Sequence, residues 1–142
     1  MIERPEGFIA SHANRGICGV IATAICANVS YQVAWATLKQ IMIEDEIGQR
    51  FRGGTYKNQR NKALSRLAVK HEEVKAGMGW KVWEFVAHVC EPGVMYMVCF
   101  KGHVFCIKDA WVIDQSYSGP IQAWKVRNKK VTYAIKIIGK GW

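Results

Sequence analysis

Residues 94–114, VMYMVCFKGHVFCIKDAWVID, decide the fold. Their β-branched and aromatic residues fall into three runs, VMYMVCF, HVFCIK and AWVID, separated only by Lys101-Gly102 and Lys108-Asp109, which is the pattern of strands joined by tight hairpins. IQAWKV (121–126) and VTYAIKII (131–138) continue it, with Asn128-Lys129 as a further hairpin link, so the C-terminal half is expected to form an antiparallel meander. Upstream the period changes. In CGVIATAICAN the residues Cys18, Ile21, Ala22 and Ile25 recur at helical spacing, and Asn28 is the stop. Ser30 is placed to cap a second helix with the apolar stripe Tyr31, Ala34, Trp35, Leu38, Ile41 and Met42, closed by Gly48. Thr55 is placed to cap a third, in which Leu64, Leu67 and Ala68 face inward among basic residues, and a short fourth helix around 81–88 follows the Gly77 to Gly79 break. Residues 1–16 lack periodicity. Helices first and sheet second predict an α+β class, with N-terminal helices packed on a C-terminal antiparallel β-sheet, and 142 residues suit a single domain, 1–142.

Half the residues are apolar and six are Trp, which predicts a packed core rather than disorder. Trp35, Trp83, Trp111 and Trp124 sit in periodic segments and are assigned to packing, whereas Trp80 and Trp142, beside glycines, are freer to face solvent. No apolar run approaches the roughly 20 residues that span a bilayer, and MIERPEGF carries acids where a signal peptide carries basic and then apolar residues, so no membrane association and a cytoplasmic location are expected. Cys18, Cys26, Cys90, Cys99 and Cys106 contain no C-x-x-C spacing, so reduced thiols are expected, with no metal and no cofactor. The charge of +9 is unevenly spread. Residues 47–71 hold Arg50, Arg52, Lys57, Arg60, Lys62, Arg66 and Lys70 without an acid, and no acid follows Asp114, so two basic surfaces are expected to attract anionic partners, nucleic acid or acidic protein.

A thiol at a helix start faces the positive end of the backbone dipole, which favours thiolate, and Cys18 holds that position with the small Gly19 beside it. The competing reading is a buried structural cysteine. His103 opens one strand and Asp114 closes the next. With Lys108-Asp109 as a two-residue loop the two residues face each other directly; with a four-residue loop, 108–111, the register moves, yet both stay on one face with Phe105 and Val112. An imidazole oriented by a carboxylate serves as general base or stabilises a thiolate, as nucleophilic cysteine chemistry requires.

RGICGVIATAICANVSYQVAWATLKQ, then GGT, then GHVFCIKDAWVIDQSYSG, resembles the small papain-like cysteine peptidase proteins of phage and bacterial genomes, themselves distantly similar to the peptidases that trim double-glycine leaders from bacteriocins. The resemblance covers most of residues 12–119 and implies a papain-like fold, Cys18 as nucleophile, His103 as base and Asp114 as the group that orients the imidazole. Papain-like enzymes place a Gln about six residues before the nucleophile to stabilise the oxyanion. Here His12 stands there and Asn14 two residues on, so Asn14, His12 and Gly19 are the oxyanion or positioning candidates. Arg15 is assigned to an acidic group near the site.

The function expected on these grounds is a cysteine peptidase, or an amide hydrolase or acyltransferase, acting on a peptide or protein, a host protein in the host cytoplasm if the chain is phage-encoded. The alternatives are a catalytically weak papain-like scaffold that binds a host protein, and a nucleic-acid-binding protein with Arg50, Arg52, Lys57, Arg60 and Arg66 as phosphate contacts.

Overall fold

The computed structural model describes residues 17–47 and 51–140. His12, Asn14, Arg15, Gly48, Arg50 and Trp142 lie outside them. Four helices, α1 (Cys18–Ala27), α2 (Tyr31–Glu44), α3 (Lys57–Arg66) and α4 (Val82–His88), accompany six strands: β1 (Val69–Glu73), β2 (Tyr96–Phe100), β3 (His103–Lys108), β4 (Trp111–Ile113), β5 (Ser118–Pro120) and β6 (Val131–Lys140). The class is α+β. All strand pairs are antiparallel, in the order β1-β6-β2-β3-β4-β5.

Helix α1 is apolar all round, and a helix without a polar face must be buried on every side. Ile17, Val20, Ile21 and Ala24 pack on Tyr31, Ala34, Leu38 and Ile41 of α2. Its other side, through Ala22, Cys26 and Ala27, meets Met97 and Cys99 of β2 and Val104 and Cys106 of β3. The Cys106 thiol donates to the Ala22 carbonyl at 3.4 Å and lies 3.5 Å from the Cys26 sulfur, so α1 and β3 touch through polarizable groups as well as methyls. Asn28, with φ 54°, turns the chain out of α1, and the Ser30 hydroxyl accepts the Val33 N–H at 3.2 Å to start α2. The alternate residues of the sheet, Tyr96, Val98, Phe105, Ile107, Val112 and Ala134, form the opposite face, covered by Val82 and Phe85 of α4 and by Ile121 and Trp124. No single helix among the described residues is long and apolar enough to cross a membrane.

Several expectations are corrected. IQAWKV is no strand: Ile121–Ala123 is a 3-10 turn, and Trp124 turns inward, because Ile121 and Trp124 are recruited to the second face of the sheet rather than to its edge. The sheet is a meander only from β2 to β5; β6 crosses back to insert between β2 and β1. Strand β1, VKHEE, was not expected from the sequence, and α3 stops before it at Arg66; Leu67 is half-buried and does pack against the core, whereas Ala68 is exposed at φ 65° instead of facing inward. Tyr56, not Thr55, is the residue at the start of α3. The β3–β4 turn is Asp109-Ala110, both at positive φ (51° and 61°), the backbone of a type I′ hairpin even without glycine. Lys108 accordingly pairs with Trp111 and Ile107 with Val112, the register of the longer loop considered from the sequence.

Leu64 is fully buried between α1 and the sheet, whereas Ile138 is 52% exposed. Leu64→Ala is expected to lower unfolding free energy in urea by about 2–5 kcal/mol. Ile138→Ala should change it by less than about 0.5 kcal/mol.

Candidate active site

Strand β4 pairs with residues 106–108 of β3, so among the described residues the first half of β3 has no strand partner on that side. The start of α1 comes to this open edge. Ile17 occupies the cap position, no side chain caps it, and no acid stands in the first turn, so among the described residues the N–H groups of Cys18 and Gly19 have no side-chain acceptor. Cys18 is half-buried there. Burial alone pushes its thiol up, but a hydrogen bond with His103, the Val104 N–H, and the charges of His103 and Arg60 outweigh it and hold the thiol below its ordinary value. Cys90, Cys99 and Cys106 go the opposite way through burial, Cys90 to about 12.

His103 Nε2–H donates to Asp114 Oδ2 at 2.7 Å, which leaves Nδ1 for the thiol. In the observed register Asp114 lies diagonally across from His103 rather than opposite, and the shared face survives the two-residue shift because side chains alternate with a period of two. Asp114 is 4% exposed, and its burial is compensated: Oδ1 accepts the Ser116 and Tyr117 N–H groups at 2.8 and 2.6 Å, so the carboxylate itself builds the turn out of β4. Burial pushes the Asp114 carboxyl up, yet the bonds from His103, Ser116 and Tyr117 bring it below its usual range. For His103, burial disfavours the cation, while Asp114 and the thiolate favour it more, raising its pKa to about 9. Rings of Phe100 (5.1 Å), Phe105 (6.3 Å) and Trp124 (6.4 Å between centroids) surround the imidazole and limit its contact with water.

Arg60 belongs to this site and not to a phosphate-binding surface. Helix α3 packs through Gln59, Arg60, Ala63 and Leu64, so the guanidinium is 6% exposed and points inward. Nη1 donates to the Thr55 hydroxyl (2.9 Å) and carbonyl (3.3 Å), Nη2 approaches the Cys99 sulfur at 3.5 Å, and Nε has no hydrogen-bond partner among the described residues. Cys99 pairs with Val104, whose N–H meets Cys18, and a Cβ on Gly19 would stand 1.9 Å from the Thr55 hydroxyl. Thr55, just before α3, and Arg60 of α3 thus lie on one side of Cys18 while Val104 flanks it from β3. Gly19 contributes the absence of a side chain, which lets Thr55 close in.

The remaining basic candidates stay outside. Arg52 and Lys57 are exposed, with Lys57 Nζ 4.9 Å above the Tyr133 ring; Arg66 pairs with Glu44 at 2.8 Å, and Lys62 with Asp45 at 2.7 Å. A shallow depression lined by Asn61, Lys62, Ser65, Arg66 and His71 contains none of the site residues. Val104, Thr55, Trp124 and the inward role of Arg60 escaped the sequence. The usable signal was for Arg60 alone: it lies three and four residues before Ala63 and Leu64, on the apolar side of α3.

Asp114→Asn removes the charge that favours imidazolium, so the His103 midpoint, followed by NMR titration of the ring protons, is expected to fall from about 9 toward the ordinary value. The His103 contribution to stability is complete below roughly pH 6.5 and is lost as pH rises through about 9, so the decline in urea midpoint over that window should be smaller in the variant.

No family model, curated protein or solved structure matches the chain, and the chemistry of the site rests on its own geometry.

Proposed function

We propose that the protein is a papain-like cysteine hydrolase or acyltransferase acting on a peptide, isopeptide or amide bond. The observation that supports this best is the continuous chain from a lowered thiol at an uncapped helix start, through His103, to a buried and multiply bonded Asp114. The order of the three residues along the chain, and a nucleophile helix packed on an antiparallel sheet whose strand opens with the histidine, agree with the papain-like resemblance.

In the proposed cycle the Cys18 thiolate attacks the carbonyl carbon and a C–S bond forms. Negative charge gathers on the carbonyl oxygen, where the free main-chain N–H groups of Cys18 and Gly19 are the available donors among the described residues. Protonated His103 then gives its proton to the amine, the C–N bond breaks, and the amine departs, leaving a thioester on Cys18. Water, or a second amine, attacks the thioester while neutral His103 takes its proton, and Cys18 leaves as thiolate. Asp114 keeps the ring oriented and stabilises the imidazolium in both half-reactions. The substrate class proposed is a peptide or a protein, a host protein if the chain is phage-encoded.

Peptide vinyl sulfones carry a carbon that only an activated thiolate attacks efficiently. Incubated near neutral pH and read by mass spectrometry, the protein is expected to take up one adduct, on Cys18, and His103→Ala should slow the reaction by at least about tenfold. Adducts spread evenly over the five cysteines, or a rate indifferent to His103, would contradict the proposal. Turnover of peptide substrates should decline as pH rises through about 9, where His103 loses the proton that the leaving amine needs.

A further inference from the structure

On the α4 side of the sheet, residues 79–83 run beside 127–131. Gly79 N–H donates to the Val131 carbonyl and Val131 N–H to that of Trp80, both at 2.8 Å; Val82 and Trp83 N–H donate to Lys129 (2.9 Å) and Arg127 (3.2 Å). Lys81 bridges Lys130 in the same antiparallel pairing. Segments some fifty residues apart therefore contribute to one surface, on which Lys81, Lys129 and Lys130 are exposed. None of these three lysines forms an ion pair among the described residues. The nearby acid Glu84 is already engaged, its carboxylate accepting the Lys81 N–H at 3.1 Å at the start of α4.

Two exposed indoles belong to the first of these paired segments. Trp80 is 44% and Trp83 39% exposed, with the exposed His88 ring edge-on to Trp80 at 6.0 Å. The packing of α4 is carried by Val82 and Phe85, so neither indole is required by the core. On helix α3, the more basic stretch in the sequence, Arg60 is inside, Lys62 and Arg66 are paired with acids, and Lys57 lies over the Tyr133 ring.

We propose that this surface binds single-stranded nucleic acid, with Lys81, Lys129 and Lys130 at backbone phosphates and Trp80 and Trp83 stacked on unpaired bases. Ammonium groups answer phosphates as point charges, and an indole face accepts any base. A duplex keeps its bases stacked on each other and out of reach of the indoles. An acidic protein would be held by the lysines without needing two exposed rings. Absence of acids from Gln115 onward leaves the approach to this surface positive. The surface is separate from Cys18, and its occupancy does not depend on catalysis.

The test is fluorescence anisotropy of the full chain with a labelled single-stranded oligothymidylate of about 15 nucleotides, a length within the range one such site covers. Binding is expected, with affinity falling as salt rises at a log–log slope of about −2, as three phosphate contacts on a single strand imply. Trp80→Ala and Trp83→Ala should each weaken binding by roughly 5- to 100-fold. Trp83→Phe should keep most of the affinity, which separates stacking from any loss of fold, and vinyl sulfone labelling of Cys18 should be unchanged in all three. Absence of saturable binding at about 50 mM salt would overturn the proposal. Alanine variants that bind like the parent would do so too, as would equal affinity for heparin or for phosphatidylserine vesicles, which would reduce the surface to a general polyanion or lipid contact.

Discussion

Helix α1 is packed from both sides, by Ile21 and Ala24 against Ala34, Leu38 and Ile41 of α2 and by Ala22 and Cys26 against Cys99, Val104 and Cys106 of the sheet. This double burial determines where its first residue lies. With no polar face, the helix has one seating in which its whole circumference avoids water, and that seating delivers Cys18 to the part of β3 that β4 leaves unpaired. His103 opens the same strand, on the alternate face, and the two side chains meet at the strand's open end. Moving α1 by one residue would expose apolar surface at about 25 cal/mol per Å² and separate the thiol from the imidazole. The reactive geometry is thus held by hydrophobic packing, with the polar groups supplying direction.

Charge balance gives the site its second constraint. A buried cation or anion is costly unless matched, and near Cys18 the imidazolium of His103 and the Arg60 guanidinium favour the ionised forms of the Cys18 thiol and of Asp114, and are favoured by them in turn. Arg60 has no carboxylate partner within ion-pair distance among the described residues, and its charge favours the ionised form of Cys18. The aromatic shell of Phe100, Phe105 and Trp124 keeps water from replacing these interactions at His103.

The α+β class, α1, α2 and the pairing of His103 with Asp114 were legible because each rests on a period that small errors do not disturb. Moving a two-residue turn by one position shifts the pairing by two residues and so changes the register but not the face, which is why the His–Asp pair survived a turn at Asp109-Ala110 in place of Lys108-Asp109. Reading failed where tertiary packing overrode local pattern. IQAWKV has strand composition, yet the second face of the sheet needed Ile121 and Trp124 as cover. A lone Arg in a basic helix looks solvated, and only the closeness of α3 to α1 turns Arg60 inward. The exposed indoles beside Lys129 and Lys130 depend on a pairing between 79–83 and 127–131 that no short-range signal announces.

His103, facing Cys18, lowers the pKa of its thiol and so favours the thiolate. Ultraviolet absorbance of the thiolate, titrated against pH and corrected with a Cys18→Ala variant, measures this directly. The account predicts a thiolate signal for Cys18 that appears at a lower pH than an ordinary thiol's and moves upward in His103→Ala. A Cys18 that titrates as an ordinary thiol, in the parent and the variant alike, would contradict it.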